Sequence, residues 1–209
     1  NINVVDTQNK SKLHNVNFEG LSTYEENNLP FSGAINFYNS DVEIKNCNFN
    51  SNLSEDYINI VRSKFLMQNT NFNNSKSDAI DIDFSEGKLE NVIVRNSGND
   101  GIDFSGSDII AENITVLNSG DKAISIGEAS NVELLNANLR NNYIAIAIKD
   151  GSNLNARGIE TKNNNFQLAI FKKKKEYKNP TAIIKDYKNL SQEDYYLIGE
   201  RSILKINKK

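Results

Sequence analysis

Short runs of alternating apolar and polar residues recur along the chain at a nearly constant interval. A-I-N-F begins at Ala34, A-I-D-I at Ala79 and A-I-S-I at Ala123. The second residues of these runs follow one another at steps of 22 or 23: Ile35, Ile58, Ile80, Ile102, Ile124 and Ile146, with Leu168 at the next step. A constant interval of this length is the signature of a repeat architecture, in which each repeat packs only against its neighbours.

A column of asparagines keeps the same register, at steps of 22 or 23: Asn46, Asn69, Asn91, Asn113 and Asn136. Alternation over short runs predicts half-buried strands, and the Asn, Gly and Ser residues between the runs predict turns. Each repeat is too short for a strand and a helix with their loops. We therefore predict an all-β fold, a single-stranded right-handed parallel β-helix with about 22 residues and three short strands per coil.

The asparagine column has a predicted structural role. We expect these side chains to point inward at a turn and to hydrogen-bond amide to amide along the stack. Asparagine also tolerates the left-handed backbone conformation that a tight turn requires.

The repeats predict a single domain over residues 1–209. It divides into an irregular N-terminal coil and loop (1–32), regular coils (33–171), and a lysine-rich loop with a terminal coil (172–209). Residues 13–18 resemble residues 44–49, and residues 198–206 resemble residues 126–134, so both ends return to the repeat pattern. Because the sequence begins at Asn1 without a methionine, we expect a domain cut from a longer protein. Neighbouring parts of that protein, or the end loops, would cover the open strand edges.

Composition excludes several classes of protein. The 209 residues include 24 basic and 27 acidic side chains, for a formal charge of −3, which argues against a general nucleic-acid binder. The one cysteine, Cys47, excludes an internal disulfide framework and a multi-thiolate metal site. No stretch approaches the roughly 18 apolar residues of a membrane span. We expect a monomer.

The outward positions of the repeated strand carry an unusual concentration of carboxylates. If Ile80 and Ile82 point inward, Asp81 and Asp83 point outward. Six aspartates would then project from the start or the outer face of three consecutive coils: Asp56, Asp78, Asp81, Asp83, Asp100 and Asp103. Stacked strands are about 4.8 Å apart, so two of these carboxylates would lie one above the other. Like charges in that position are destabilising.

Two interpretations of this acidic column remain open. The column could bind a ligand or include a carboxyl group with a raised pKa that acts as an acid. Alternatively, the aspartates could cap turns while Lys122, Lys149 and Arg62 neutralise them. For the first interpretation the catalytic candidates are Asp81, Asp103, Asp83, Asp100 and Lys122. The substrate-binding candidates are Asn59, Arg62, Asp121, Lys149 and Tyr57, and Tyr38 and Tyr57 could stack on sugar rings.

The spacing of the carboxylates is compatible with two kinds of polysaccharide chemistry. The diagonal from Asp83 to Asp103 would be about 8 Å, a separation that suits inverting glycoside hydrolysis. Alternatively, Asp78, Asp81 and Asp103 could hold Ca²⁺ through their oxygens, with a lysine or arginine acting in β-elimination or epimerisation. The residues leave the choice among hydrolase, lyase and epimerase open.

A local resemblance covers about two coils. N-D-G-I-D-F-S-G-S at residues 99–107, followed by S-G-D-K-A-I-S-I at residues 119–126, resembles the catalytic coils of polygalacturonase-type glycoside hydrolases. The resemblance implies that Asp100 matches a catalytic aspartate and Asp121 the first aspartate of the second motif. Lys122 replaces the aspartate that follows in that family, and the family's G-H-G and R-I-K motifs are absent.

A broader resemblance covers nearly the whole chain. The runs G-A-I-N-F-Y-N-S-D-V, S-D-A-I-D-I-D-F and G-D-K-A-I-S-I-G-E resemble bacterial right-handed β-helix repeat proteins of the pectate-lyase-like superfamily. Some of these carry CotH-like or lamin-tail-like regions. The resemblance implies a secreted or cell-envelope location. We expect a carbohydrate-directed domain that meets a polysaccharide along the aspartates; the alternative is a non-catalytic structural or partner-binding module.

Overall fold

A computed structural model describes residues 1–23 and 31–208, which form stacked coils of parallel strands. Nine strands, numbered in chain order with all others, build the first sheet: β1 (Ile2–Val5), β4 (Gly33–Tyr38), β7 (Asp56–Val61), β9 (Asp78–Asp83), β11 (Ile102–Ser105), β13 (Lys122–Gly127), β15 (Ile144–Lys149), β17 (Phe166–Phe171) and β19 (Tyr196–Ile198). This sheet contains the repeated A-I-x-I runs. Its register pairs Ile58 with Ile80 and Ile102 with Ile124, as the 22-residue step predicts.

Eleven further strands form the second sheet: β2 (Ser11–His14), β3 (Asn17–Leu21), β5 (Val42–Lys45), β6 (Asn48–Asn52), β8 (Lys64–Ser75), β10 (Glu86–Ser97), β12 (Asp108–Leu117), β14 (Asn131–Arg140), β16 (Asn153–Lys162), β18 (Thr181–Asn189) and β20 (Ile203–Lys208). In the early coils the two segments of a coil are separate strands, as in β5 and β6. From β8 onward they run on as one strand. The predicted all-β parallel β-helix is confirmed.

The interior is a continuous apolar column that follows from the alternation in sequence. Ile35, Ile58 and Ile80 are completely buried and stack in successive coils. Aromatic rings stack in the same way, with centroids 4.5 Å apart between Phe49 and Phe72. Each fully buried side chain of this size stabilises the fold by roughly 1.5–3 kcal/mol.

The asparagine column forms the predicted ladder, but it lies on the surface. Asn69, Asn91 and Asn113 are exposed, and each donates an amide hydrogen bond to the asparagine one coil earlier, at 3.2, 2.9 and 3.0 Å. Their φ angles of 51–55° are left-handed, as expected. The predicted inward orientation is wrong because the bend at the asparagine turns its side chain away from the core.

A serine ladder, absent from the predictions above, runs through the inside of another corner. The backbone N–H of each serine donates to the hydroxyl of the serine one coil further on, at 2.8–3.1 Å. The members are buried: Ser40, Ser63, Ser85, Ser107 and Ser130. Their spacing of 22 or 23 residues could have revealed them in the sequence.

The ends of the chain follow the repeat with interruptions. Strand β1 pairs with β4 through Ile2 and Ile35. These two residues are 33 positions apart, so the 22-residue repeat does not predict that β1 belongs to the sheet. Within the predicted N-terminal coil and loop, β3 ends at Leu21, and residues 24–30 lie outside the described residues. In the lysine-rich loop, Asp150 accepts backbone hydrogen bonds from Lys173 and Lys174 at 2.6 and 2.7 Å. Residues 1–23 and 31–208 contain no helix long and apolar enough to cross a membrane.

Gly158 interrupts the asparagine ladder and offers a test of it. The residue has φ +72°, and an added Cβ would meet Oδ1 of Asn136, the flexible end of a side chain, at 2.6 Å. We expect Gly158→Asn to raise the melting temperature by about 2–4 °C, because asparagine tolerates this φ and its amide can donate to Asn136. Gly158→Ala keeps the strain without the hydrogen bond and should lower it. Thermal unfolding of both variants measures the difference; equal shifts would contradict the explanation.

Candidate functional site

Asp81 and Asp103 lie one above the other on the outer face of the first sheet. The parallel register pairs Asp103 with Asp81, and Asp81 in turn with Asn59. Both aspartates are partly exposed. Asn59 donates from Nδ2 to Asp81 at 2.8 Å and to Asp83 at 3.3 Å. The alternation in β9 and β11 therefore places these carboxylates as the sequence predicts.

Asp78 and Asp100 lie at the starts of neighbouring rungs and cap the turns there. Oδ1 of Asp78 accepts from the backbone N–H of Asp100 at 2.8 Å and from Nδ2 of Asn99 at 2.7 Å. Oδ1 of Asp100 accepts from the backbone N–H of Lys122 at 2.9 Å. The capping interpretation thus describes these two aspartates, whereas Asp81 and Asp103 lie partly exposed on the outer face, within a strand.

Burial raises the pKa values of several aspartates in the cluster. It raises the pKa of Asp56 to about 7, and that of Asp100 to about 6 despite the attraction of Lys122. Burial, followed by repulsion from Asp83, also raises the pKa of Asp81. Buried carboxyl groups favour the neutral form because the charged form loses hydration. Part of the cluster is therefore protonated at neutral pH.

Lys122 is the cation closest to the cluster. Its Nζ contacts Asp100 at 3.3 Å and also pairs with Asp121. Burial opposes the charge on Lys122, but the two carboxylates outweigh it and raise its pKa. A lysine held protonated in this way is poorly suited to act as a base. In the described part of the chain, no lysine or arginine forms an ion pair with Asp81 or Asp103.

The oxygens closest to a cation-binding arrangement differ from the predicted set. Carboxylate oxygens of Asp78, Asp100 and Asp103 lie within 4.8 Å of one another, and Asp81 is not part of this group. Oδ1 of Asp103 is buried without a hydrogen-bond partner, as is Oγ of Ser125 in the next rung. Oxygens this close can surround one Ca²⁺ at 2.3–2.6 Å. Asp78 and Asp100 already accept hydrogen bonds, which leaves fewer lone pairs for an ion.

Tyr57 does not belong to this face, contrary to the prediction. It is completely buried, packs edge-on against Phe49 at 5.4 Å, and donates from its hydroxyl to the backbone oxygen of Asn50 at 2.9 Å. The first residue of each A-I-x-I run turns into the core at the corner. The position therefore fits alanine in most coils and a tyrosine in this one.

The remaining predicted cations lie at the margins. Arg62 follows β7, and its guanidinium lies 5.7 Å from the ring centroids of both Tyr38 and Phe84. Lys149 lies on the same outer face, three rungs beyond Asp83 or about 14 Å away. Neither side chain pairs with the central carboxylates among the described residues.

Comparison with known proteins assigns the fold family. The model of the right-handed β-helix region matches residues 32–179, well over half of the chain. The chain belongs to the right-handed β-helix family. No curated protein matches this β-helix. A similar solved structure is that of the Streptococcus pneumoniae surface protein and adhesin PfbA, with 10% identity and a TM-score of 0.27, covering 98% of this chain and 85% of that one. At that TM-score the likeness carries no argument.

Two features of this β-helix escaped the sequence reasoning. Phe84 is half exposed beside the carboxylates, and the only signal for it is an aromatic residue in a column otherwise polar or glycine. The outer face also changes character along the axis, because Ala147 and Ala169 follow Ser125 and pack against Phe166 and Phe171. The acidic part of the face is thus confined to the first half of the regular coils.

Proposed function

We propose that this β-helix is a carbohydrate-directed domain that binds or processes a polysaccharide along its aspartate face. The aspartate face is the part of the first sheet's outer surface and strand starts that carries six aspartates: Asp56, Asp78, Asp81, Asp83, Asp100 and Asp103. The observation that supports this is the stack of Asp81 on Asp103 in the open middle of the sheet, with no paired cation among the described residues. Like charges at this spacing destabilise a sheet. The same column holds Asn36 and Asn59 in earlier coils, so the fold accepts a neutral residue there.

The proposed chemistry follows from the mixture of protonated and ionised carboxyl groups. A protonated Asp81 can donate its proton to a glycosidic oxygen, while the neighbouring outward carboxyl groups accept hydrogen bonds from sugar hydroxyls. Lys122, which stays charged, would stabilise negative charge rather than remove a proton. The arrangement therefore favours hydrolysis over base-driven elimination, and binding without turnover uses the same contacts.

A second candidate function is a non-catalytic structural or partner-binding module. It is favoured by the backbone N–H hydrogen bonds that the carboxylate oxygens of Asp78 and Asp100 accept at the turns, because those aspartates then have a structural reason to be present. Long solenoid faces also serve as binding surfaces without chemistry. A secreted or cell-envelope location, neighbouring domains and a monomeric state belong to both proposals and rest on the resemblance in sequence.

The proposal is tested by presenting the protein with a panel of polysaccharides. The panel contains neutral glucans, chitosan and polygalacturonate; affinity electrophoresis measures binding, and release of reducing ends measures turnover. Binding with new reducing ends supports a hydrolase, and binding alone supports a recognition domain. No interaction with any member contradicts the carbohydrate proposal in favour of the structural module.

Calcium provides a separate test of the oxygens around Asp103. If Asp78, Asp100 and Asp103 hold Ca²⁺, calcium at ten times its Kd adds about 1.4 kcal/mol to the free energy of unfolding. We expect the melting temperature of chelator-treated protein to rise by about 3–5 °C in millimolar CaCl₂, and Asp103→Asn to abolish the rise. Magnesium is the control ion. An unchanged melting temperature would eliminate the metal-assisted mechanisms.

A further inference from the structure

Phe84 occupies a position that stability does not explain. It directly follows Asp83 at the end of β9, has a left-handed φ of 48°, and is 52% exposed. A bulky residue in this region of backbone space is an outlier. The other members of its corner column also have positive φ, and most are residue types that suit an exposed turn: Asn39, Arg62, Gly106, Glu128 and Asp150.

The ring of Phe84 lies between residues of the two neighbouring coils, Gly106 and Arg62. A Cβ at Gly106 would lie 2.6 Å from Cδ1 of Phe84, so the ring lies over the glycine and depends on its lack of a side chain. On the other side, the guanidinium of Arg62 is 5.7 Å from the ring centroid and equally far from that of Tyr38. Arg62 also donates to the hydroxyl of Tyr38.

These contacts make a row of three planar groups along the edge of the aspartate face. Tyr38, Arg62 and Phe84 belong to successive coils, so the row runs along the axis of the β-helix. The pair of Asp81 and Asp103 runs in the same direction. Aromatic surface therefore lies beside a line of hydrogen-bond acceptors. Binding sites for small polar ligands combine these two features, an apolar surface for contact and a few polar groups for orientation.

The charge around Phe84 limits what can bind there. A surface depression beside the ring is lined by the carboxylates of Asp41, Glu86 and Asp108, and by the cations of Arg62 and Lys64. The aspartate face adds further carboxylates on the other side of the ring. An anionic polymer would be repelled, because acidic groups outnumber basic ones.

We propose that Phe84 is the stacking platform for a sugar ring of an uncharged polysaccharide. The apolar C–H face of a pyranose packs on the phenyl ring, and its hydroxyls donate to the carboxylates of Asp83 and the neighbouring rung. This inference rests on the proposed carbohydrate function and specifies its ligand as neutral. The exposed ring and its strained backbone are then a requirement of binding.

Asparagine at position 84 separates binding from stability. Phe84→Asn relieves the strain, because asparagine accepts a left-handed backbone, and it removes the platform. We expect its melting temperature to rise by about 2–4 °C and its affinity for cello-oligosaccharides to fall about tenfold. Phe84→Tyr retains a ring and should bind within about twofold of the wild type. Tyr195→Asn is the matched control, because Tyr195 is also 52% exposed but lies near the C-terminal rung.

Isothermal titration of these variants with cello-oligosaccharides, chitosan oligosaccharides and oligogalacturonates decides the matter. Loss of cello-oligosaccharide affinity in Phe84→Asn but not in Tyr195→Asn supports the platform. Unchanged affinity in a folded Phe84→Asn overturns it, as does binding of only a charged probe, oligogalacturonate or chitosan oligosaccharide. These results leave the general carbohydrate function standing. A wild-type protein that binds none of the three overturns the proposed function together with this inference.

Discussion

Replacing Asp81 and Asp103 together by asparagine is expected to raise the melting temperature by about 4–8 °C and to abolish polysaccharide binding. The stability gain follows because the change removes two acidic groups stacked in adjacent rungs, and because burial raises the pKa of one of them, Asp81. The new side chains would also continue the row that Asn36 and Asn59 begin. Binding would be lost because amides replace the acceptors and the proton donor that the proposal requires. Thermal unfolding and affinity electrophoresis provide the two measurements.

The single substitutions and a distant carboxylate supply the controls for this pair. Glu133→Gln changes an exposed acidic residue on the second sheet and should alter neither quantity. Each single variant should show part of both effects. If stability falls in the double variant and the protein never binds sugar, the aspartates serve only the fold, and the site kept at a cost to stability does not exist.

A marked loss of stability between pH 5 and pH 8 is the second large effect that we expect. Burial raises the pKa of Asp56 to about 7 and that of Asp100 to about 6. A carboxyl group whose pKa is higher in the folded than in the unfolded state contributes stability that is complete below about pH 4. That contribution is lost as the pH rises through the folded pKa. We expect about 2–4 kcal/mol, or about 5–10 °C, between pH 5 and pH 8.

The pH window separates this effect from ordinary acid denaturation. The pKa values of Glu43, Glu90 and Asp194 are lowered by their partners, so their contribution grows as the pH rises through about 4 and is complete by pH 5. Melting curves at pH 5, 6, 7 and 8 therefore report mainly on the aspartate face. The slope should flatten in the Asp56→Asn, Asp100→Asn double variant. A flat wild-type profile would show that the carboxyl groups ionise freely.

The sequence was sufficient for the fold because a stacked coil repeats its requirements. The isoleucine column keeps one register through six coils and the asparagine column through five, and the members of each column pair as the spacing predicts. Irregular steps defeat the same logic: Ile2 precedes Ile35 by 33 residues and was not recognised as a rung. The outward direction of the asparagine side chains was also not predicted. Periodicity gives the position of a residue in its coil, but not whether the chain bends so that the side chain points inward or outward.

For the candidate site, the sequence predicts which residues within a strand face outward, but not how the residues at the corners are oriented. Alternation places Asp81, Asp83 and Asp103 on the outer face, because adjacent residues of a strand point to opposite sides. Corners do not follow alternation, so Tyr57 turns inward where the pattern of its neighbours suggested an exposed ring. Phe84 lies in such a corner as well. The turns decide which carboxylate oxygens approach one another. As a result Asp100, and not the predicted Asp81, joins Asp78 and Asp103 in the group of close oxygens.

The serine ladder links five consecutive coils, each to the one after it, from Ser40 to Ser130. Ser63 receives a hydrogen bond from Ser40 and gives one to Ser85, so an interior coil loses partners on both sides when it opens. A terminal coil loses partners on one side only. We therefore expect unfolding to begin at the terminal coils. The aspartate face lies in the interior coils and should stay folded longest.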